Sequence, residues 1–245
     1  MNAEQYSAGR IPSFCVVLPM YNEQANAEKC IGTISAFLGA IPARTGIVAV
    51  DDGSSDGTGQ TLRELGNRFS GLYVEVHEKN CGYGGANRTG FLRAISEGFE
   101  YALVMDADLT QDPVYIHGFI DAMKTKADFI KATRYAKGGK VEGVPFARAM
   151  VSWIGNRVAQ VVLRCGVSDF TNGFRAIRTD FLPKLDTREN GFAMLMEEVC
   201  QARRAGARFA EVPYTLTVRD DGSVSKFSYS FGVYWQYLRH LLPRW

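Results

Sequence analysis

The chain has 245 residues and a net charge of +2; 46% of its residues are hydrophobic and 22% are charged. This length and composition are ordinary for a globular protein with one large core. No uninterrupted apolar run reaches the roughly eighteen residues that a membrane-spanning helix needs. The five cysteines are scattered and odd in number, which indicates reduced thiols in a cytoplasmic protein rather than a disulfide framework or a zinc site.

Charge is distributed unevenly along the chain. Residues 1–130 hold 10 Lys+Arg and 16 Asp+Glu, whereas residues 131–245 hold 18 and 10. An acidic half that binds a metal ion and a basic half that binds anions would show this division. The sequence has no dense basic stripe with interleaved aromatic residues, so nucleic acid is not expected as a partner.

In the first half, short apolar runs alternate with segments of helical spacing. The apolar runs predict buried strands over 14–18, 46–50, 72–76 and 103–105. The segments between them predict helices over 23–38, from Asp56 or Thr58 towards Phe69, and over 86–99 after a glycine-rich loop. Pro113 fits the first turn of a further helix. This alternation predicts an α/β fold with a mainly parallel central sheet flanked by helices.

Beyond Phe129 the alternation is looser. Helices are predicted over 146–163 and 192–205 and a strand over 209–212. No linker separates the two halves, so we expect them to share one core. The resulting organisation is a flexible, polar N-terminus over 1–12 that is not a signal peptide, a single domain over 13–228, and a C-terminal amphipathic helix over 229–245.

Two carboxylates, Asp106 and Asp108, follow the fourth predicted strand. In open α/β sheets, ligands bind in the crevice beyond the carboxyl ends of the strands. Hard divalent cations prefer oxygen ligands and commonly bridge to phosphates. The pair therefore predicts a site for a divalent cation that carries phosphate oxygens. For an isolated pair a solvated turn would be the better interpretation, but other polar groups follow the neighbouring strands.

These other groups lie at the ends of the first two strands and before the third helix. Tyr21 could stack on a base, and Glu23 could accept a hydrogen bond from a ribose hydroxyl. The segment 51–58 contains three aspartates, and the glycine-rich segment 80–87 lets backbone approach a ligand closely. All these strand ends meet at one edge of a parallel sheet, so the groups are expected to share a crevice.

The basic half contributes a further cluster. It comprises Arg134, Arg148, the segment 168–175, Arg219 and Lys226. Arginine forks match the geometry of phosphate groups. Any one of these cations could be a solvated surface residue, but their grouping near glycine turns favours anion binding.

Taken together, the motifs resemble those of inverting family 2 glycosyltransferases with the GT-A fold, and in particular dolichyl-phosphate mannosyltransferases and related polyprenyl-phosphate glycosyltransferases. The matching segments are 17–23, 50–58, 80–90, 106–108, 134–135, 141–143, 148–156, 168–175, 211–213 and 219–226. Each motif alone is weak, whereas the ordered set over nearly the whole chain is specific.

The resemblance implies a role for each matching residue. The residues that would hold the nucleotide-sugar donor are Pro19, Tyr21, Glu23, Val50, Asp52, Asp106, Ala107 and Lys226. Asp106 and Asp108 would bind Mg²⁺ or Mn²⁺, and Arg134 and Arg148 would bind the acceptor's phosphate. Asp108 and Arg219 would stabilise the leaving diphosphate, and Asp169 would orient the acceptor or hold the arginines.

The implied reaction transfers a sugar, with mannose favoured and glucose possible, from a GDP or UDP donor to a polyprenyl or dolichyl phosphate with inversion. A phosphate monoester is largely ionised near neutral pH, because its second pKa is about 6, so no strong general base is required. His77, His117 and His240 are accordingly interpreted as structural or surface residues.

A lipid acceptor adds a membrane surface to the expected partners, with a membrane protein as a further candidate. The resemblance implies a peripheral protein at the cytoplasmic face. Apolar residues of 229–245 fall on one side of a helix at Phe231, Tyr234, Trp235, Leu238, Leu241 and Leu242. This helix could lie in the membrane interface or dock on the core, and both interpretations stay open.

Two departures from the family's pattern concern the site. Some relatives have a metal-binding Gln two residues after the second Asp, where this chain has Thr110 and places Gln111 one residue later. The stretch 219–226 is one residue longer than in close mannosyl-transferring relatives.

Alternative functions remain. A transferase acting on a sugar hydroxyl would need a general base, for which Asp169 or Glu197 is available. A haloacid-dehalogenase-type phosphotransferase would use Asp106 as a nucleophile but would leave the Asp51–Asp52 cluster without a role. A binding subunit without catalysis would not need the full set of acids and arginines.

Overall fold

The computed structural model describes residues 9–217 and 231–241. Arg219 and Lys226, for which the resemblance implies donor contacts, lie outside the described residues. The side chain of Arg148 and most of the predicted N-terminal segment also lie outside them.

Seven strands form the central sheet. They are β1 (Phe14–Met20), β2 (Thr45–Asp51), β3 (Leu72–Val76), β4 (Tyr101–Val104), β5 (Phe129–Thr133), β7 (Arg175–Arg178) and β8 (Phe209–Pro213), while β6 (Lys140–Val141) and β9 (Thr215–Leu216) pair separately. The order in the sheet is β3-β2-β1-β4-β7-β5-β8. Strand β7 runs antiparallel to β4 and β5, and the other pairs are parallel. The predicted mainly parallel α/β sheet is confirmed.

Seven helices flank this sheet in the described part of the chain. They are α1 (Gln24–Gly39), α2 (Thr58–Arg68), α3 (Gly82–Ser96), α4 (Ile116–Lys124), α5 (Phe146–Leu163), α6 (Met194–Arg204) and α7 (Phe231–Leu241). A short 3-10 turn over Pro113–Tyr115 leads into α4, and Asp112 Oδ1 caps it by accepting from the Val114 N–H at 2.8 Å.

Helix α3 begins four residues earlier than predicted, so most of the glycine-rich segment is the first turn of a helix rather than a loop. The reason is packing against a distant segment. A Cβ on Gly84 would lie 2.0 Å from the carbonyl oxygen of Glu189, and one on Gly82 would lie 2.4 Å from that of Asn190. Glycine is needed here for close approach of backbone to backbone.

The sheet is buried on both faces because helices cover each side. In β1, Phe14, Val16 and Leu18 join the core beneath α1, α2 and α4, whereas Cys15 and Val17 point into the core beneath α3 and α6. Strands buried on both faces read as continuous apolar runs, which explains why β1 and β4 were recognisable in the sequence.

Helix α7 docks on the domain along one side. Tyr237 and His240 are buried, Tyr237 Oη donates to the Phe192 carbonyl at 2.8 Å, and His240 Nε2 lies 2.8 Å from Glu189 Oε1. Trp235, on another side, is 55% exposed. Among the described helices, none is long and apolar enough to cross a bilayer.

Candidate active site

The carboxyl ends of β1, β2 and β4 meet at one edge of the sheet. The Asp52 N–H donates to the Met20 carbonyl at 2.8 Å, and the Met105 N–H donates to the Val17 carbonyl at 3.1 Å. These bonds place Asp52 and, one residue beyond Met105, Asp106 on opposite sides of the end of β1. The structure thus brings together the polar groups that were predicted to converge.

The loops after β1 and β2 are joined by reciprocal hydrogen bonds. The Asn22 N–H donates to Ser54 Oγ, and the Ser55 N–H donates to Asn22 Oδ1, both at 2.9 Å. The Glu23 N–H donates to Thr58 Oγ1 at 2.9 Å. We call this set of contacts the loop zipper; it fixes the two loops relative to one another.

The predicted donor residues of β1 and β2 lie around this zipper. Pro19 pairs with Val50 in the register of the two strands. The Tyr21 ring is 40% exposed, which leaves a face accessible to a ligand, while Val50 is buried in the core. Glu23 Oε2 accepts from Asn26 Nδ2 at 2.9 Å, so its carboxylate is oriented by the first turn of α1.

Asp52 is nearly fully buried, and one of its oxygens is held by two donors. Its Oδ1 accepts from the Cys81 N–H and lies against His77 Nδ1, both at 2.8 Å. Gly53, with φ +67°, lets this turn pack against the backbone of Lys79, where a Cβ would come within 2.4 Å. Asp52 is therefore fixed between the ends of β2 and β3 and the start of α3.

Asp52, His77 and Cys81 form a cluster whose potential ligand atoms all lie within 4.8 Å of one another. The two donors on Asp52 Oδ1 already satisfy that oxygen. Hydrogen bonding thus accounts for the geometry of the cluster, and we do not assign a metal ion to it.

The Asp106/Asp108 pair follows β4 directly, and both side chains are partly exposed. Gln111 is buried and closes a ring with Asp106: its Oε1 accepts from the Asp106 N–H at 2.9 Å, and its Nε2 donates to Asp106 Oδ2 at 2.7 Å. Thr110 Oγ1 donates to Asp108 Oδ1 at 2.8 Å. The Gln that is displaced by one residue from the family's pattern therefore orients the first carboxylate.

Gly173 connects this pair to the second half of the chain. A Cβ at Gly173 would lie 2.7 Å from Tyr83 Oη and 3.3 Å from Asp106 Oδ1. The segment 168–175, the glycine-rich first turn of α3 and the first carboxylate are thus in direct contact, and no side chain fits between them.

Arg175, from the predicted basic cluster, is fully buried in an ion pair with Glu198. Its Nε and Nη2 donate to the two carboxylate oxygens at 2.5 and 2.8 Å, and its remaining bonds reach Gly173 O, Asn87 Oδ1 and Tyr83 Oη. Every guanidinium nitrogen donates a hydrogen bond to a protein group. Arg175 is therefore a structural residue of the site rather than a phosphate ligand.

Lys131 is buried beside the same segment and donates to the Asn172 carbonyl. Burial, assisted by the nearby charge of Arg175, lowers the pKa of Lys131 to about 7. The second half of the chain therefore contains a titratable cation that the sequence pattern did not single out. Lys131 lies in β5 and resembles an ordinary strand residue in the sequence.

Arg134 and Asp169 form a two-bond pair. Arg134 Nε donates to Asp169 Oδ2 at 2.7 Å and Nη2 donates to Oδ1 at 2.9 Å. Burial acts to raise the pKa of Asp169, but the adjoining Arg134 charge outweighs it and holds that pKa below its ordinary value. Among hydrogen bonds of the described residues, none uses Arg134 Nη1, which leaves that nitrogen for an anion.

Glu197, the other carboxylate considered as a general base, holds a loop. Its Oε2 accepts from the N–H groups of Arg188 and Glu189 at 2.9 and 2.8 Å. The carbonyl of Asn190 in turn accepts from the Gly84 N–H at 2.7 Å. Glu197 therefore supports the glycine-rich turn through this loop and is not directed at a substrate.

Helix α5 presents an apolar face away from the core. Phe146 is 81% and Val161 67% exposed, and six more large apolar side chains of this helix are exposed: Met150, Val151, Trp153, Ile154, Val158 and Val162. The opposite face is buried through Asn156, Ala159 and Leu163. The segment contains no Asp or Glu and carries Arg148 and Arg157.

A pocket of about 330 Å³ lies between α5 and the sheet edge that bears Arg134. Its lining is mostly polar and comprises Tyr135, Ala136, Trp153, Asn156, Arg157, Gln160, Ser168 and Glu211. Asn156 Oδ1 accepts from the Phe170 N–H at 2.6 Å, which ties α5 to the segment that holds Asp169. Trp153, one of the exposed apolar side chains of α5, lines this pocket together with Tyr135, which follows Arg134 in the chain.

The structure places Asp52 and Asp106 on either side of the end of β1, as the sequence predicted, and pairs Arg134 with Asp169 beyond the end of β5. His77, which was interpreted as structural or surface, is a largely buried partner of Asp52. Its position directly after β3, on the same sheet edge, was the available signal. No comparable signal in the sequence marked Glu198, the buried partner of Arg175, or the exposed face of α5, since both depend on contacts between residues distant in the sequence.

Residues 15–186 match the family described as Glycosyl transferase family 2. The chain is 31% identical over 215 residues to undecaprenyl-phosphate mannosyltransferase of Micrococcus luteus, with 86% of each chain covered. It is 33% identical over 217 residues to polyprenol monophosphomannose synthase of Mycolicibacterium smegmatis, which covers 87% of this chain and 80% of that protein.

A solved structure of glucosyl-3-phosphoglycerate synthase from Mycobacterium tuberculosis, in complex with Mn²⁺, UDP and phosphoglyceric acid, superposes with a TM-score of 0.64 at 19% identity. The superposition covers 93% of this chain and 75% of that one and supports the GT-A architecture. The family match over 15–186 and the two bacterial relatives confirm the resemblance of the motifs: the chain belongs to glycosyltransferase family 2.

Proposed function

We propose that this glycosyltransferase moves a sugar, with mannose favoured, from a nucleotide-diphosphate donor to a polyprenyl phosphate at the cytoplasmic surface of a membrane, with inversion. The observation that carries the acceptor assignment is the exposed apolar side of α5, from which Trp153 lines a pocket together with Tyr135, the neighbour of Arg134 in the chain. The names of the two bacterial relatives, which refer to undecaprenyl phosphate and polyprenol, support the same acceptor class.

The donor would bind along the edge formed by β1, β2 and β4. Tyr21 offers an exposed ring for stacking, and Asp52 offers a carboxylate oxygen to the N–H groups of a base. The diphosphate would lie toward Asp106, where Gly173 removes any side chain that could obstruct it. Arg219 and Lys226 remain proposed contacts to the donor diphosphate.

The potential metal ligands of Asp106 and Asp108 fit a hard divalent cation, because they are partly exposed carboxylate oxygens with no thiolate or imidazole among them. These two residues would hold Mg²⁺ or Mn²⁺, and Gln111 and Thr110 would keep the carboxylates oriented. The bound ion would neutralise charge on the leaving diphosphate.

The protein groups favour a phosphate rather than a sugar hydroxyl as the nucleophile. An ionised phosphate oxygen needs no general base, since the second pKa of a phosphate monoester is about 6. Asp169 is fully buried against Arg134, and Glu197 accepts two backbone N–H groups. Each of the two carboxylates that could serve a hydroxyl acceptor as general base is therefore engaged in the protein. Arg134 Nη1, and Arg148 from α5, would meet the acceptor phosphate.

The α5 face would rest on the membrane that carries the acceptor. A helix with an apolar side, cations and no acidic residue is suited to an interface with anionic lipid. The C-terminal helix is a weaker candidate for this contact, because its Tyr237 and His240 are buried against the domain. The unpaired state of all five cysteines fits the cytoplasmic side.

The reaction is tested by offering purified protein GDP-mannose and UDP-glucose separately, with Mg²⁺ or Mn²⁺ and a polyprenyl phosphate. Radiolabel in the lipid phase from one donor is expected and would identify the sugar. Release of nucleotide without labelled lipid would contradict the proposal and favour a hydroxyl acceptor or hydrolysis.

The membrane contact is tested by flotation with vesicles that contain anionic lipid. Val158→Glu with Val161→Glu is expected to abolish flotation and to reduce transfer to a long-chain acceptor, while transfer to a short, water-soluble prenyl phosphate is retained. Leu92→Glu is the matched control, because Leu92 is 68% exposed on α3. Equal flotation of all three proteins would exclude α5 as the membrane contact.

A further inference from the structure

His77 connects the ends of β2 and β3 with α3, next to the proposed donor site. It follows β3, and its backbone N–H donates to the Asp51 carbonyl at 2.9 Å. Its Nδ1 lies 2.8 Å from Asp52 Oδ1, and its Nε2 lies 2.8 Å from Thr89 Oγ1 on α3. The imidazole is 15% and the carboxylate 5% exposed, so the contact is largely shielded from water.

The chemistry of the contact fixes the hydrogen on Nδ1. A carboxylate oxygen only accepts, so His77 must donate from Nδ1 to Asp52. A neutral ring then has an acceptor at Nε2, and the Thr89 hydroxyl can supply the hydrogen there. The Thr89 hydroxyl can donate or accept, so it is compatible with this tautomer, which the contact with Asp52 sets.

The contact with His77 leaves the other carboxylate oxygen of Asp52, Oδ2, to be considered. Oδ1 is occupied by His77 and by the Cys81 N–H, whereas no hydrogen bond among the described residues reaches Oδ2. A carboxylate held by two donors on one oxygen cannot rotate freely, so the position of its second oxygen is fixed as well. Such a group can recognise an N–H at the edge of a base.

We infer that His77 is a positioning residue for nucleotide recognition: it sets the Asp52 carboxylate so that Oδ2 accepts from the nucleobase of the donor. The inference rests on the proposed function, in which Asp52 binds the nucleoside. It extends that function because specificity for a base is assigned to Asp52 together with His77, whose ring also contacts Thr89, rather than to Asp52 alone.

Two substitutions separate positioning from packing. His77→Leu fills the space but has no donor. His77→Asn places its amide N–H where Nδ1 was, and so restores the bond to Asp52. Binding of GDP, UDP and inorganic pyrophosphate is measured by calorimetry with Mn²⁺ present, for both variants and for Asp52→Asn, and thermal unfolding is followed to verify the fold.

We expect His77→Leu to weaken the preferred nucleotide about ten-fold, the loss typical of one hydrogen bond to a charged group. Pyrophosphate, which has no base, should bind as before, and His77→Asn should recover most of the nucleotide affinity. In steady state the KM for the donor should rise while kcat and the KM for the lipid phosphate stay unchanged.

Equal weakening of nucleotide and pyrophosphate, or no rescue by His77→Asn, would overturn the inference and leave His77 as a packing residue. Normal nucleotide binding by Asp52→Asn, or no binding of GDP or UDP by the unaltered protein, would overturn the donor site of the proposed function and this inference with it. Failure of lipid labelling alone would leave the binding result, and therefore the inference, intact.

Discussion

Two regions of the proposed site are held together by different kinds of contact. They are the proposed donor edge, at the carboxyl ends of β1, β2 and β4, and the proposed acceptor region around Arg134, Asp169 and Arg175. At the donor edge, loops that follow parallel strands are joined by hydrogen bonds, and the carboxylates at the diphosphate end stay partly exposed. In the acceptor region, charged side chains are buried in pairs, Arg175 with Glu198 and Arg134 with Asp169.

This difference predicts how each region tolerates change. A partly exposed carboxylate at a strand end can be neutralised with little effect on folding, so the loss appears in chemistry. Removal of one partner from a buried pair leaves an uncompensated charge, so the loss appears in stability. Four substitutions test this contrast.

The largest effect is expected from Asp108→Asn at the donor edge. The variant keeps the shape of the side chain but loses a charged ligand for the cation, and transfer should fall about a thousand-fold, or roughly 4 kcal/mol in activation free energy. Its unfolding midpoint in urea should match the unaltered protein. Asp121→Asn, on the exposed surface of α4, is the control. Substantial activity in Asp108→Asn would exclude Asp108 from the metal site.

Glu198→Gln should instead act on stability. It leaves the buried Arg175 without its counter-charge, and the free energy of unfolding should drop by about 3 kcal/mol. Asp186→Asn, which breaks the exposed pair with Arg188, should change it by less than about 1 kcal/mol. Urea unfolding measures both. Similar losses in the two variants would remove the contrast between buried and exposed pairs.

Arg134→Lys tests whether Arg134 both pairs with Asp169 and binds the acceptor phosphate. Lysine keeps the charge but cannot form the two-bond contact with Asp169 and still offer a nitrogen to a phosphate. The KM for the lipid phosphate should rise about ten- to thirty-fold, equivalent to about 2 kcal/mol, with the donor KM unchanged. A change confined to the donor KM would move Arg134 out of the acceptor site.

The smallest effect, counted per pH unit, concerns Lys131, whose pKa is lowered by burial from the ordinary 10.5 to about 7. Between these values only the unfolded chain holds the proton, so stability should rise with pH by at most about 1.4 kcal/mol per unit. Below pH 7 both states hold it and the contribution is flat. Lys131→Met should abolish the rise between pH 7 and 9. Parallel stability curves for the two proteins would contradict the lowered pKa.

The sequence was sufficient for the donor edge because local pattern and topology agree there. Apolar runs marked β1, β2 and β4, and parallel strands necessarily bring their carboxyl ends to one edge, so Asp52 and Asp106 could be placed together. Only the start of α3 was misjudged, since glycine suggested a loop where it serves close packing against Glu189.

The acceptor region was less accessible for a physical reason. Strand β7 is antiparallel and inserts between β4 and β5, an order that no local pattern records. The sequence did not single out Lys131, and it placed Arg175 in a cluster expected to bind anions, because their partners Asn172 and Glu198 are brought beside them only by the fold. Likewise, α5 has a helical pattern, but only the structure shows which of its sides is left uncovered.

The loop zipper between the segments after β1 and β2 has a kinetic consequence. Asn22 is already bonded to Ser54 and Ser55, and Glu23 to Thr58. These loops therefore have little conformational entropy left to lose when a nucleotide binds at the proposed donor site. Donor association should then be a single step whose observed rate increases linearly with nucleotide concentration, without the plateau that a preceding loop rearrangement would impose. The amides of Asn22 and Ser55 should accordingly exchange slowly with solvent even before any donor is added.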